Sequence, residues 1–366
     1  MRAAYIRRMP QRPLEGLRVV ETAGVLAGPA VGMFLAELGA HVVKIENARA
    51  GGDITRQWKL PEEDPRSPVS AYFSSVNHGK EHRPIDLKDP AGQAEVHALI
   101  ADADVLISNH LAADATKLGL ERPRLRALNP RLVHGHIIGY PHDAQRPAYD
   151  VVLQAECGYI GMTGTPEAAA KLPVAMIDIL AAHQLKEGLL VALMQRERTG
   201  RGAYVEVSLE EAALTGLVNQ ASNFLMAGHV AQPLGTLHPN IAPYGELFTC
   251  ADGGRIVLAV GSDTAFRALC TVVGLEGVPA MPRFATNTDR VRHRTELAGL
   301  LAPAIARHHR DALLDALRTA GVPAGAVRRM DEVLATPTAQ ALIAEEVIDG
   351  VTTRRLRGNV FRIELG

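Results

Sequence analysis

The sequence predicts a two-domain α/β protein, and three observations carry that prediction. Its 366 residues exceed what one core of ordinary size needs. Apolar strand-like runs alternate with helix-like segments through the first half, which is the βαβ rhythm of a parallel sheet. After a Gly- and Pro-rich stretch at 228–243 the pattern changes to a hairpin followed by helices.

The elements follow in order. Residues 17–21 (LRVVE) read as a short buried strand. Gly24 to Pro29 is a tight turn, with Pro29 placed to open a helix over 30–39. Residues 40–46 (AHVVKIE) are the next strand, and 49–68 is a long loop rich in Gly, Pro and charge. A helix is expected at 90–103, with strands at 104–109 and 131–139. Asp178 to Arg198 carries helical periodicity through Leu180, Leu185, Leu189 and Leu193. Gly200 serves as its C-cap, and Arg196 and Arg198 suit the helix's negative end. Residues 204–209 alternate as a strand, and Ser208 with Glu211 forms a capping box opening a helix over 209–227. A hairpin turning at Asp252–Gly254 then precedes helices at 263–273, 289–307 and 310–320. The predicted domains are 13–227, with 340–366 returning to it, a linker at 228–243, and a smaller α+β domain at 244–339.

Composition narrows the function. A net charge of −1 offers no basic field for a nucleic-acid backbone, and 4% aromatics leaves little for base stacking. No apolar run reaches membrane-spanning length, so no membrane partner is expected. The basic start, MRAAYIRRMPQRP, lacks an apolar run behind it and does not read as a signal peptide. Cys157, Cys250 and Cys270 stand far apart, without a CxxC pair or a metal-spaced Cys/His cluster. A cytoplasmic protein without a structural metal is the expectation.

Four places could carry chemistry. The turn Gly24 to Pro29 links a strand to a helix and could present backbone N–H groups to an anion. A plain βα turn packed through small residues is the alternative. Glu46 ends the second strand, where a dinucleotide fold puts a ribose-binding acid. The glycines at 24, 28 and 32 do not form GxGxxG, which argues against a nicotinamide cofactor. Asp178 sits between the apolar run 173–177 and an apolar helix. It reads either as that helix's N-cap or as a carboxylate nucleophile in a dry site. Tyr149-Asp150 precedes a further apolar stretch, and the Tyr149 hydroxyl could donate to a carbonyl oxygen. The loop from His238 to Tyr244, with two prolines, reads as a site-lining loop or a linker.

Together these segments resemble the family III CoA-transferases, which include formyl-CoA transferase, carnitine CoA-transferase and the α-methylacyl-CoA racemases. The resemblance runs from Pro13 almost to the C-terminus. It is carried by Ala27-Gly28-Pro29, by 38–46 (LGAHVVKIE), by Gly52-Asp53-Ile54-Thr55-Arg56, and by 85–90 (IDLKDP). Ala103-Asp104-Val105 with Asn109, Tyr149-Asp150 and 196–202 (RERTGRG) extend it.

The resemblance implies a Rossmann-like large domain and an interlocked homodimer. It makes Asp178 the nucleophile that passes CoA from an acyl-CoA to a second carboxylic acid through an aspartyl-CoA thioester. Coenzyme A is then substrate, and no tightly bound cofactor is expected. Val25 and Ala27 match positions lining the nucleotide, Ile85 and Asn109 further adenosine-side positions, and Lys117 a cation near the phosphates. Tyr149, Asp150, Leu26, His238 and Asn240 are the expected substrate-site residues. Leu26 replaces a glutamine of formyl-CoA transferase, Asn47 an arginine, and His238-Pro239-Asn240-Ile241-Ala242-Pro243 its glycine-rich loop. Formyl-CoA and oxalate are therefore not the expected substrates. Tyr149 also stands where the racemases place a histidine, and tyrosine is a poor base near neutral pH. Racemization and non-catalytic acyl-CoA binding are the rival readings.

Overall fold

The structure is a computed structural model that describes residues 12–143 and 145–363. Most of the basic N-terminal segment read above lies outside the described residues. The described residues form two compact units. One comprises the chain through Ile160, Lys171–Ala231 and everything from Thr338 onward; the other comprises Gly161–Ala170 and Gln232–Pro337. The small stretch 161–170 thus belongs with the second unit, although it interrupts the first in sequence.

The first unit is built on a six-stranded sheet. In chain order its strands are Arg18–Glu21, His41–Asn47, Lys80–Ile85, Val105–Ser108, Val133–Ile138 and Ala203–Ser208. All neighbours pair in parallel. Across the sheet the third strand is followed by the second, first, fourth, fifth and sixth. This order reverses direction between the first and fourth strands, where α/β sheets open a crevice at the carboxyl ends.

Both faces of the sheet are covered, which buries Val19 and Val20 of the first strand and Val105, Leu106 and Ile107 of the fourth. The helices Ala27–Glu37 and Met176–Thr199 bury Val31, Leu35, Ile177, Leu185 and Leu189 on one face. The helices Pro90–Ala101 and Arg122–Leu128 bury Val96, Ile100 and Leu125 on the other. Asp89 caps the first of these by accepting from Ala91 N–H, with Pro90 in its first turn. Gly200 ends the long helix in the left-handed conformation (φ 71°), which glycine adopts without a Cβ clash. The helix expected over 209–227 is two helices, Leu209–Gly216 and Val218–Ala227. Val218 lies at φ 43°, which breaks the hydrogen-bond ladder where the apolar pattern continues. Ser208 caps the first of them through Glu211 N–H.

The C-terminal hairpin, Ile343–Ile348 with Val351–Leu356, packs within this unit. Ile348 joins Val69 and Phe73 in a small core, and the Thr353 hydroxyl lies 2.9 Å from His78 Nε2.

The second unit holds an antiparallel sheet of Tyr244–Thr249, Arg255–Ala259 and Ala324–Val327. Helices Asp263–Val272, Arg294–Ile305 and Arg310–Thr319 pack on it around Phe248, Ile256, Leu258, Phe266 and Leu301. The helix expected over 289–307 begins earlier, because Thr286 caps Asn287–Arg292 through Asp289 N–H, and it divides at His293, whose backbone (φ −106°, ψ 27°) leaves the helical region.

Candidate active site

The segments that follow the first and fourth strands, which flank the sheet's reversal point, both line one cavity of about 100 Å³ in the first unit. Val25, Leu26, Ala27, Asn109, Tyr149, Asp150 and Asp178 all line it. Seven of the expected residues, separated by up to 153 positions in sequence, therefore meet in one place.

The turn after the first strand is unusually constrained. Val25 lies at φ 72°, a conformation that costs a β-branched residue about 1–3 kcal/mol. Its N–H donates to Asp53 Oδ2 at 3.2 Å. Gly24 is tied to the fourth strand by a reciprocal pair: its N–H donates to Asn109 Oδ1 (3.1 Å) and its C=O accepts from Asn109 Nδ2 (3.0 Å). The N–H groups of Gly24 and Val25 are thus taken by side chains of the protein itself and are not presented to a bound anion. Helix Ala27–Glu37 starts directly afterwards with no side-chain cap, so its first N–H groups have no intrahelical partner. Gly28 is required by close approach, since a Cβ there would stand 2.3 Å from the Ala23 Cβ.

Asp178 is not the N-cap of its helix. The helix opens two residues earlier, at Met176, and Ala175 occupies the cap position without a side-chain bond. Asp150 takes over that role from a distance: Ile177 N–H donates to Asp150 Oδ1 at 2.7 Å. Gln154 Nε2 donates to the other Asp150 oxygen at 2.5 Å, and Gln154 Oε1 accepts from Leu172 N–H at 2.8 Å. Asp178 is left in the first turn, 8% exposed, facing the cavity. Burial, and next the charge of Asp150, push its carboxyl up to about 7. Tyr149 is 58% exposed and begins the helix Asp150–Glu156.

His110 and Arg146 also line the cavity, and sequence reasoning did not single them out. Burial, helped by His136, lowers His110 to about 4, so its imidazole is neutral at ordinary pH. Arg146 donates to Glu156 Oε1 at 2.5 Å and stacks 4.1 Å over the Tyr140 ring. No spacing signal links Arg146 to Glu156, because the pair forms across a loop and a helix.

The remaining expected residues lie elsewhere. Ile85 is 6% exposed and belongs to the core on the second face. Lys117 is exposed and pairs with Asp114 at 3.1 Å. Glu46, at the position of a ribose-binding acid, is fully occupied by Arg56 (2.6 Å to each oxygen), His82 (2.9 Å) and Asp53 N–H (2.8 Å). His238 and Asn240 belong to the second unit. There Asn240 N–H donates to His238 Nδ1 (3.1 Å), and Arg294 and Asn287 donate to the backbone oxygens of His238 (2.6 Å) and Asn240 (2.8 Å). The loop is therefore fixed within its own unit. No cluster of metal-ligating side chains occurs among the described residues, and no described helix is long and apolar enough to cross a membrane.

A buried carboxylate at the carboxyl end of a parallel sheet, with a backbone turn beside it, is a site suited to acyl chemistry. The model of CoA-transferase family III matches residues 14–364, and the chain belongs to that family. It is 38% identical to a succinate–glutarate CoA-transferase of Agrobacterium fabrum, over 94% of this chain and 90% of that protein. It is 32% identical to an acetyl-CoA:oxalate CoA-transferase of Acetobacter aceti, over 91% of this chain and 85% of that one. A crystal structure of a CaiB/BaiF family protein from Brucella suis superposes with a TM-score of 0.86 at 36% identity, covering 96% of this chain and 93% of that one. The protein is thus a family III CoA-transferase, acting between acyl-CoA thioesters and carboxylic acids.

Proposed function

We propose that the protein transfers CoA between short dicarboxylic acids, with Asp178 as the covalent carrier. The observation that carries this reading is the buried Asp178 carboxylate, which faces the cavity while Asp150 holds the helix beneath it. The names of the two relatives, which cite succinate, glutarate and oxalate, support the acid class. Leu26, which lines the same cavity as Asp178, favours an acyl chain with some apolar length over oxalate.

In this reading an Asp178 oxygen attacks the thioester carbonyl carbon, and the C–S bond breaks to release CoA thiolate and leave a mixed anhydride. The thiolate attacks the Asp178 carbonyl carbon, and the first acid departs as its carboxylate. The second acid's carboxylate attacks the aspartyl-CoA thioester and expels thiolate. The thiolate then attacks the acyl carbon of the new anhydride and restores the Asp178 carboxylate. No net proton is consumed. Water must be kept out, because it would hydrolyse the anhydride. The N–H groups of Ala27 and Gly28, which open the helix Ala27–Glu37, and the Tyr149 hydroxyl are the donors this reading assigns to the oxyanions, since Ala27 and Tyr149 line the cavity with Asp178.

A homodimer belongs to the same proposal. Phe224, Leu225, Met226 and Val230 are 56–87% exposed and close in sequence, apolar surface that a second copy would cover. Racemization is the weaker reading. His110 does reach the cavity, but a histidine lowered to about 4 is too weak a base for an α-proton.

Mass spectrometry of the Asp178 peptide tests the reading, after incubation with succinyl-CoA and glutarate and trapping with borohydride or hydroxylamine. Label at Asp178, absent in D178A, is the expected result. Exchange without label overturns the nucleophile, and solvent deuterium entering the α-carbon without an acceptor acid supports racemization instead.

A further inference from the structure

Beneath the turn that follows the first strand lie four buried charged residues, Glu21, Lys44, Asp53 and Lys80, none of which lines the cavity. Their polar atoms form one continuous chain. Lys80 Nζ donates to both Glu21 oxygens, at 2.9 and 2.8 Å, and also to Pro29 O and Asn77 Oδ1. Lys44 Nζ donates to Glu21 Oε1 at 3.0 Å and to Ala23 O at 2.8 Å, and it pairs with Asp53 Oδ2 at 3.1 Å. Asp53 Oδ1 accepts from the Thr55 N–H and hydroxyl, at 3.0 and 2.8 Å. Its Oδ2 reaches out of the chain to the N–H of Val25, the residue held at φ 72°.

Stability is a poor reason for such a chain. Buried ion networks can often be replaced by apolar side chains with no loss of stability. What the chain supplies is a carboxylate acceptor in one fixed place. Its second oxygen lies within hydrogen-bond reach of a backbone N–H whose residue would otherwise leave the left-handed region. The direction of helix Ala27–Glu37 depends on that residue, because the helix begins two positions later.

Resting on the transferase reading above, we propose that Asp53 is a positioning residue for CoA transfer. It holds Val25 left-handed and so aims Leu26 and the first N–H groups of the helix at the cavity of Asp178, with Lys44, Glu21 and Thr55 fixing Asp53 in turn.

Asp53→Asn tests this, alone and together with Val25→Gly. Asparagine keeps the size but removes the charge beside Lys44 and leaves one oxygen where two are needed, one for Val25 N–H and one for the Thr55 donors. D53N should lower kcat by about tenfold or more while KM for the acyl-CoA stays within about threefold. Glycine takes a positive φ without a partner, so the same change made in V25G should lower kcat by less than about threefold. An equal loss in both backgrounds, or no loss in either, overturns the proposal. If D53N does not fold, Thr55→Val carries the same comparison, because it removes one bond from Asp53 Oδ1 and leaves every charge in place. Amide hydrogen exchange of residues 23–28 gives a readout independent of activity. Faster exchange there in D53N, with Val133–Ile138 unchanged, supports the positioning even if the wild type transfers no CoA and the transferase reading itself fails. Unchanged exchange at 23–28 overturns it.

Discussion

Asp150 Oδ1 accepts the Ile177 N–H at 2.7 Å, so a residue 27 positions upstream supplies the cap for the helix that carries Asp178. The same carboxylate is the second cause, after burial, of the raised Asp178 pKa. One side chain therefore orients Asp178 and adjusts its affinity for a proton. Asp150→Asn separates the two effects. Asparagine can still accept from Ile177 N–H, but it carries no charge. The acid limb of the kcat/KM profile should move to lower pH, with thermal stability close to wild type. Asp150→Ala should also lose the cap and about 1 kcal/mol of stability.

The raised pKa of Asp178 makes a claim about folding as well as reactivity. Its carboxyl is pushed from 3.8 to about 7 on folding. Between those values the native state retains a proton that the unfolded chain has released, so the native state loses stability as pH rises from 4 to 7. Above pH 7 the full cost of a buried carboxylate is present. Asp178→Asn removes that cost and should stabilise the protein by up to roughly 4 kcal/mol above pH 7, less the few tenths that a first-turn carboxylate gains from the helix dipole. Below pH 4 the two proteins should melt together. Denaturation midpoints at pH 4, 6 and 8 check the trend. The variant should transfer no CoA at any pH, which makes stability and activity opposing demands at this residue.

How legible this site was depended on the range of the interactions. Gly200, Ser208 and the strand–turn–helix at 18–37 could be read from sequence because caps and turns are local. The strand Lys80–Ile85 was passed over: KEHRPI buries only Lys80 and Ile85 and contains Pro84. Proline is tolerated there because this strand forms the sheet's edge. The helix Ala71–Asn77 was also missed: its Ser70 cap stands just past the loop read at 49–68, and seven residues are too few to show a helical period. Asp53 was visible only as part of a motif. Its partners Val25 and Lys44 lie 28 and 9 positions away, and hydrophobic periodicity says nothing about where a buried charge finds its counter-charge. For the same reason, sequence offered Asp178 as a cap and could not show that Asp150 fills that role.

Tyr149 offers a sharper test of oxyanion stabilisation than the backbone does, because its donor can be removed alone. The residue is 58% exposed and lines the cavity. Tyr149→Phe keeps the ring and should leave the fold intact. If the hydroxyl donates to the tetrahedral oxyanion, kcat should fall by about tenfold, below the roughly 100- to 1000-fold of a fully enclosed donor. KM should change little, since the bond would strengthen only in the transition state. Steady-state rates with succinyl-CoA and glutarate, each varied in turn, separate the two constants.

The loop 238–243 can be tested through Arg290, which is fully buried in the second unit. Its guanidinium donates to Ala242 O at 2.9 Å, to Phe284 O at 3.2 Å and to Asp263 Oδ1 at 2.7 Å. It also lies 4.5 Å from the Phe266 ring, inside the unit's core. Arg290→Met matches much of the volume but strands two buried carbonyl oxygens. Asp263 is half exposed and can turn to water, so the loss should reflect the carbonyls and not an orphaned charge. The expected cost is about 3 kcal/mol of local stability. Amide exchange should show it as reduced protection across Tyr244–Thr249, whose core is shared with Phe266, while Val105–Ser108 in the first unit keeps its protection. Full protection of Tyr244–Thr249 in the variant would mean that the backbone bonds of the sheet, and not Arg290, hold the end of the loop in place.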